Sequence, residues 1–228
     1  MKVTVLGSGG SGGVPLPGGP PGGIWGNADP KNPKNRRMRV SVLVETAGKV
    51  LLIDTSPDFR QQALQFGVTR IDAVPFTHAH ADHARRGHQA YLAHTDSAGV
   101  LRARLGDITL QTLAYGEALT LGEVLVSLHP AGHVLGSAQV RIEHRGEVWV
   151  ASGDYFVSGA GDHNPTCTPF EPVRCDCFIT ESTFGLPIYR WRAQAEVLGE
   201  VDQWWRGNAE AGRARLLLAY SFGKAQRL

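Results

Sequence analysis

The sequence predicts an α/β domain of two sheets covered by helices, a four-layer arrangement. Short runs rich in Val, Leu and Ile recur from Val3 to Ala219, and turns containing Gly, Pro or Asp break them. Segments with helical spacing are interspersed among these runs rather than grouped at one end. The 228 residues are 42% apolar and 19% charged, which suits one sizeable core with at most a small appendage.

In chain order, residues 3–6 read as a strand that stops at Gly7-Ser8-Gly9-Gly10-Ser11-Gly12-Gly13. Residues 14–35, dominated by Pro, Gly and Asn and without periodicity, read as a long loop. Strands are expected over 40–46 and 50–53, turning at Ala47-Gly48-Lys49. Pro57 opens a helix that runs to Phe66, because proline is tolerated in the first helical turn. Residues 71–76 form an apolar strand whose end delivers a histidine cluster. A short helix over 97–105 is followed by strands over 108–113, 124–129, 138–143, 147–151 and 177–180. A helix over 193–210 places Val197, Val201, Trp204 and Trp205 at helical spacing, so the tryptophans read as core or interface rather than as stacking platforms for bases. A last strand covers 216–219, and no helix is expected beyond it.

A net charge of +2 is too small to indicate nucleic-acid binding, although a local patch is compatible with it. No apolar run approaches the ~20 residues that span a bilayer, so no membrane partner is expected. Met1-Lys2-Val3-Thr4-Val5-Leu6 lacks the apolar core and cleavage site of a secretory signal. The three cysteines, Cys167, Cys175 and Cys177, cannot all pair, and a cytoplasmic location is expected. Cys175 and Cys177, beside Val173, Phe178 and Ile179, read as part of a buried strand rather than a metal site.

Chemistry concentrates in Thr77-His78-Ala79-His80-Ala81-Asp82-His83. Four candidate ligands at a strand end converge only if the backbone turns tightly, and Ala79 and Ala81 are small enough to permit it. Imidazole nitrogen and carboxylate oxygen both suit Zn²⁺. Downstream, His133 lies in the glycine-flanked turn Pro130-Ala131-Gly132-His133-Val134-Leu135-Gly136, and Asp154 follows an apolar run in Ser152-Gly153-Asp154-Tyr155. Asp54 is another strand-end carboxylate, placed either to orient ligand histidines or to start the helix near Pro57. The glycine-rich stretch 7–13 lacks the lysine of a P-loop and reads as a plain connection. Lys31, Lys34, Arg36, Arg37 and Arg39 read as a solvated basic loop, with guidance of a phosphate backbone as the alternative. His88, His94, His129, His144 and His163 lack ligand spacing and read as surface or packing residues.

His78-x-His80-x-Asp82-His83, then His133, then Asp154, resemble the successive metal motifs of the metallo-β-lactamase superfamily. The resemblance implies a four-layer αβ/βα sandwich with the metals at one edge. Residues 1–83, through 7–15, 32–39 and 52–60, resemble the small phosphodiesterase branch that includes cyclic-phosphate hydrolases. Residues 77–228, through 110–117, 129–140, 169–189 and 219–227, resemble bacterial ligase-associated DNA exonucleases of the β-CASP nuclease group. The two overlap at Thr77–His83, a motif that both branches share; a chimera of the two, natural or artificial, is one reading that the sequence leaves open. That resemblance divides it into a metallo-β-lactamase-type domain over 1–190 and the start of an incomplete β-CASP-like segment over 191–228.

By this resemblance His78, His80 and His133 hold one zinc, Asp82 and His83 hold a second, and Asp154 bridges them; Mn²⁺ is the alternative metal. Asp82 is the candidate proton carrier, and Glu181, in Thr180-Glu181-Ser182-Thr183, resembles the acidic residue of the first β-CASP motif. A last ligand of the second metal has no counterpart. The expected reaction is phosphodiester hydrolysis, of nuclease type on DNA or RNA ends. The alternatives are a small cyclic or linear phosphodiester as substrate, or a silent metal-binding module that needs a partner chain.

Overall fold

A computed structural model of the chain describes residues 1–157 and 164–228. Three antiparallel strands, β1 (Lys2–Gly7), β2 (Ser41–Thr46) and β3 (Lys49–Ile53), build the first sheet in the order β1-β2-β3. Helix α1 (Phe59–Phe66) follows, ending on Gly67 in the left-handed conformation. Strand β4 (Tyr91–His94) pairs in parallel with β5 (Leu110–Leu113), and α2 (Ala98–Leu105) connects them.

The second sheet has the order β10-β9-β8-β7-β6, from β6 (Ala118–Leu121), β7 (Val124–Pro130), β8 (Ala138–His144), β9 (Glu147–Ala151) and β10 (Cys177–Ile179). Its strands are antiparallel except for the β9–β10 pair. Helices α3 (Gln194–Glu210) and α4 (Lys224–Arg227) complete the elements.

The alternation of side chains along β2 and β3 explains the layering. Val42, Val44, Leu51 and Ile53 face the second sheet, where Val124, Val126, Leu128, Val140 and Ile142 complete one buried cluster. Leu43 and Leu52 point the other way, into a cluster with Phe76, Leu101 and Leu105, so that α2 covers that face, with Phe59 of α1 packed alongside. On β8, Arg141 and Glu143 alternate with those core residues and pair with each other at 2.7 Å.

Several expectations need correction. Residues 71–76 do not form a continuous strand. They make isolated parallel bridges, Ala73 to Leu51 and Pro75 to Leu92, and so join β3 to β4; Pro75 has no amide to donate. Residues 216–219 are irregular as well, with Leu216 and Leu218 exposed and unpaired to any strand. Helix α4 stands beyond them, where none was expected. The helix after Pro57 starts at Phe59. Strands β4 and β6, four residues each, lie where no strand was expected. The loop over 14–35 is tied by bridges Val14–Arg37 and Leu16–Ile24 and by a 3-10 turn at Pro33–Asn35. Trp204 and Trp205 are 47% and 37% exposed, and α3 has no buried residue, so neither tryptophan is core. Cys177 sits half-buried in β10 and Cys175 half-buried just before it.

Candidate metal centre

The site lies where chain segments leave the two sheets. Asp54 follows β3 with a positive φ of 60°, a conformation that Asp tolerates better than most residues. Its buried carboxylate accepts the Thr77 amide at 2.7 Å, the Thr77 hydroxyl at 2.6 Å and His83 Nδ1 at 2.7 Å. The expected orienting role of Asp54 is therefore seen in its contacts. The carbonyls of His80 and His83 accept backbone amides of residues 83, 84 and 55, which closes the tight turn.

Four donor atoms, one each from His78, His80, His133 and Asp154, lie within 4.8 Å of one another. His78 Nε2 and His80 Nδ1 are 3.0 Å apart, and His133 Nε2 is 3.4 Å from His80 Nδ1. Asp154 Oδ2 is 3.9 Å from His78 Nε2 and 3.8 Å from His133 Nε2. Its other oxygen is 3.5 Å from His83 Nε2. Asp82 sits beside this group rather than within it, 3.8 Å from His83 Nε2.

The hydrogen bonds fix which nitrogens carry lone pairs. The Thr77 hydroxyl spends its proton on Asp54, so at 3.0 Å it accepts from His78 Nδ1–H, leaving Nε2 bare. His80 Nε2–H donates to the Phe222 carbonyl at 3.1 Å, leaving Nδ1 bare. Two lone pairs thus face each other at 3.0 Å with no proton between them. Three neutral imidazole nitrogens and a carboxylate at this spacing fit a divalent cation.

Electrostatics agree for the three imidazoles of the first group. Burial, then the neighbouring imidazoles, holds His78 well below its ordinary value, and burial lowers His80. Burial, with His80 and His83, takes His133 down to about 3. Burial lowers His83 too, but the Asp54, Asp154 and Asp82 carboxylates outweigh it and raise it to about 9. Burial, with Glu181, Asp82 and Asp54 adding and His83 opposing, raises Asp154 to about 6. Glu181 is thus close enough to act on Asp154; its own side chain accepts the Thr183 amide at 3.1 Å.

Among the described residues, the other histidines stay outside this cluster. His88 bonds Thr55 Oγ1 at 3.0 Å, His94 stacks on Tyr115 at 3.5 Å, His129 bonds Ser127 and His144 bonds Thr46. His163 lies outside the described residues. Phe222 is the contributor that sequence reasoning missed. Its role runs through a carbonyl, which every residue has, across 142 positions of chain.

Comparison with known proteins follows the same line. Residues 35–174 match the model of the metallo-beta-lactamase superfamily, and the chain belongs to that family. It is 33% identical over 156 residues to a "Probable DNA ligase" of Opitutus terrae, a match covering 67% of this chain and 15% of that protein. It is 29% identical over 121 residues to "Endoribonuclease ysh1" of Emericella nidulans, covering 52% of this chain and 13% of that one. The chain thus spans a small fraction of these curated relatives. Among solved structures, a diphosphatase of the PhnP family is similar at 30% identity and a TM-score of 0.55, covering 65% of this chain and 63% of that one.

Proposed function

We propose that this chain is a metal-dependent phosphodiester hydrolase of nuclease type, acting on ends of DNA or RNA. The observation that carries the reading is the convergence of His78, His80, His133 and Asp154 within 4.8 Å. These four would hold one cation, and Asp82, His83 and the second Asp154 oxygen the other. Ligand type favours zinc, with manganese the alternative. Cations held there would lower the pKa of bound water and offset charge on phosphoryl oxygens.

The protein's own groups supply the rest. Asp82, half-buried beside His83, takes a proton from the attacking water or returns one to the leaving oxygen. Glu181 adds a second acidic group next to Asp154. Lys224 and Arg227 stand near enough to His133 for their charges to help lower its pKa, and such cations beside the site would favour an anionic phosphate substrate. The naming of one relative as an endoribonuclease supports a nucleic-acid substrate. We assign residues 1–190 to the hydrolase domain and 191–228 to a β-CASP-like segment, in which α3 has no buried residue and Phe222 packs back against the domain. Three unpaired cysteines favour a cytoplasmic setting.

The similarity to a PhnP-family diphosphatase favours a second reading, hydrolysis of a small phosphodiester. Turnover of bis-p-nitrophenyl phosphate, a ribose cyclic phosphate and 3′-labelled oligonucleotides by zinc- or manganese-loaded protein separates the two. Oligonucleotide cleavage that is undetectable beside rapid small-ester turnover rules out the nuclease reading.

A further inference from the structure

The chain returns to the metal centre at Ser221-Phe222-Gly223, far in sequence from every expected ligand. Gly223 makes the approach possible. Its φ is 94°, and a Cβ there would lie 2.7 Å from Val134 Cγ1. Gln226 clamps the turn from both sides, accepting the Gly223 amide at 2.7 Å and donating to the Ser221 carbonyl at 3.0 Å. Phe222 is only 7% exposed and joins the core cluster that holds Ala79 and Val134. Its ring meets the His80 ring edge-on at 5.4 Å, under the Arg104 guanidinium at 5.7 Å.

The outcome is a carbonyl pinned 3.1 Å from His80 Nε2. A carbonyl only accepts, so the proton sits on Nε2 and the lone pair on Nδ1, the atom that faces His78 and His133. An imidazole held by this carbonyl has one tautomer and one ring orientation; released, it has two of each. We propose that Phe222 is a positioning residue of the metal centre, whose carbonyl holds His80 in its ligand tautomer. Cation binding and docking of residues 220–228 then stabilise one another. The inference rests on the proposed metal site and extends it to a segment that supplies no ligand.

The reciprocity of linkage supplies two independent readouts. In metal-free, full-length protein with ¹⁵N-labelled histidine, His80 is expected as the Nε2–H tautomer. Added Zn²⁺ is expected to slow amide exchange over residues 221–227. Gly223→Ala, and the milder Phe222→Leu, are expected to weaken Zn²⁺ binding in chelator competition by about 10- to 100-fold, the usual effect of losing a partner behind a ligand. Lys2→Ala, at the end of the first sheet opposite Asp54 in the strand register, is the control. An Nδ1–H tautomer in the wild type, or unchanged Zn²⁺ affinity in both folded variants, overturns the inference while leaving the metal site standing. A wild-type chain that takes up no Zn²⁺ overturns the site reading and this inference together.

Discussion

Asp54 and His83 are joined by a 2.7 Å hydrogen bond from ring Nδ1 to Oδ2, in a setting where both side chains are almost fully buried. The same carboxylate accepts the Thr77 amide and hydroxyl. One side chain therefore sets the end of the segment that carries His78 and the tilt of the ring at His83. Asp54→Asn keeps the shape and tolerates the positive φ. It can still accept the Thr77 amide, but it presents an NH₂ group to His83 Nδ1, which requires a neutral ring to keep its proton on Nε2, the atom that must be bare to bind a cation on the Asp154 side. We expect metal affinity to fall by about 10- to 100-fold, read by chelator competition. Wild-type affinity in this variant would contradict the assigned role.

Asp154 lies 3.5–3.9 Å from three histidines, so Asp154→Ala removes the shared carboxylate from the cluster. Loss of one or both metals is expected by elemental analysis of protein purified with zinc. His88→Ala breaks only the contact with Thr55 and packing against Phe59 and Tyr91, and should leave metal content unchanged. Equal loss in the two variants would refute the ligand assignment.

How much was legible beforehand depended on where the information lies. The ligand turn is local: four donors within six positions are visible in a one-dimensional string. His133 and Asp154 follow the apolar runs that became β7 and β9, so strand ends marked them. Residues 124–129 read correctly because Val124, Val126 and Leu128 alternate into one cluster between the sheets, and 147–151 ends in the same cluster through Ala151. Residues 91–94, Tyr-Leu-Ala-His, have no such alternation; all four are buried, and parallel pairing to β5 defines the strand. Residues 216–219 erred the other way, having strand composition without a partner. Phe222 was invisible because a backbone carbonyl leaves no mark in sequence.

Gly153 precedes Asp154 with φ 57°, and a Cβ built there would lie 2.4 Å from Thr77 Cβ, which is itself fixed by Asp54. Neither side can yield without moving a residue of the site. Gly153→Ala is expected to destabilise the fold by about 1–3 kcal/mol through the left-handed backbone alone, with a lower Tm and reduced metal content. A melting temperature equal to the wild type would show that the backbone relaxes more freely than this packing implies.

The acid side of the stability profile should carry a signature of Arg39 and Asp58. Asp58 precedes α1, yet its carboxylate makes no cap bond to the helix. It instead accepts Arg39 Nη2 at 2.6 Å, Arg39 Nε at 3.0 Å and the Arg39 amide at 2.9 Å. The side-chain bond to Arg39 lowers the Asp58 pKa, with burial opposing. A depressed carboxylate contributes stability that is fully present above its unfolded value, about 3.9, and that disappears as pH falls through the lower folded value. The pair is partly exposed, which screens it to about 1 kcal/mol or less. Asp58→Asn should therefore be less stable than the wild type at pH 7, and the gap should close as pH drops below about 4. Chemical denaturation at pH 7 and pH 3 measures both gaps, and a gap that widens in acid would reverse the sign and exclude this ion pair as its source.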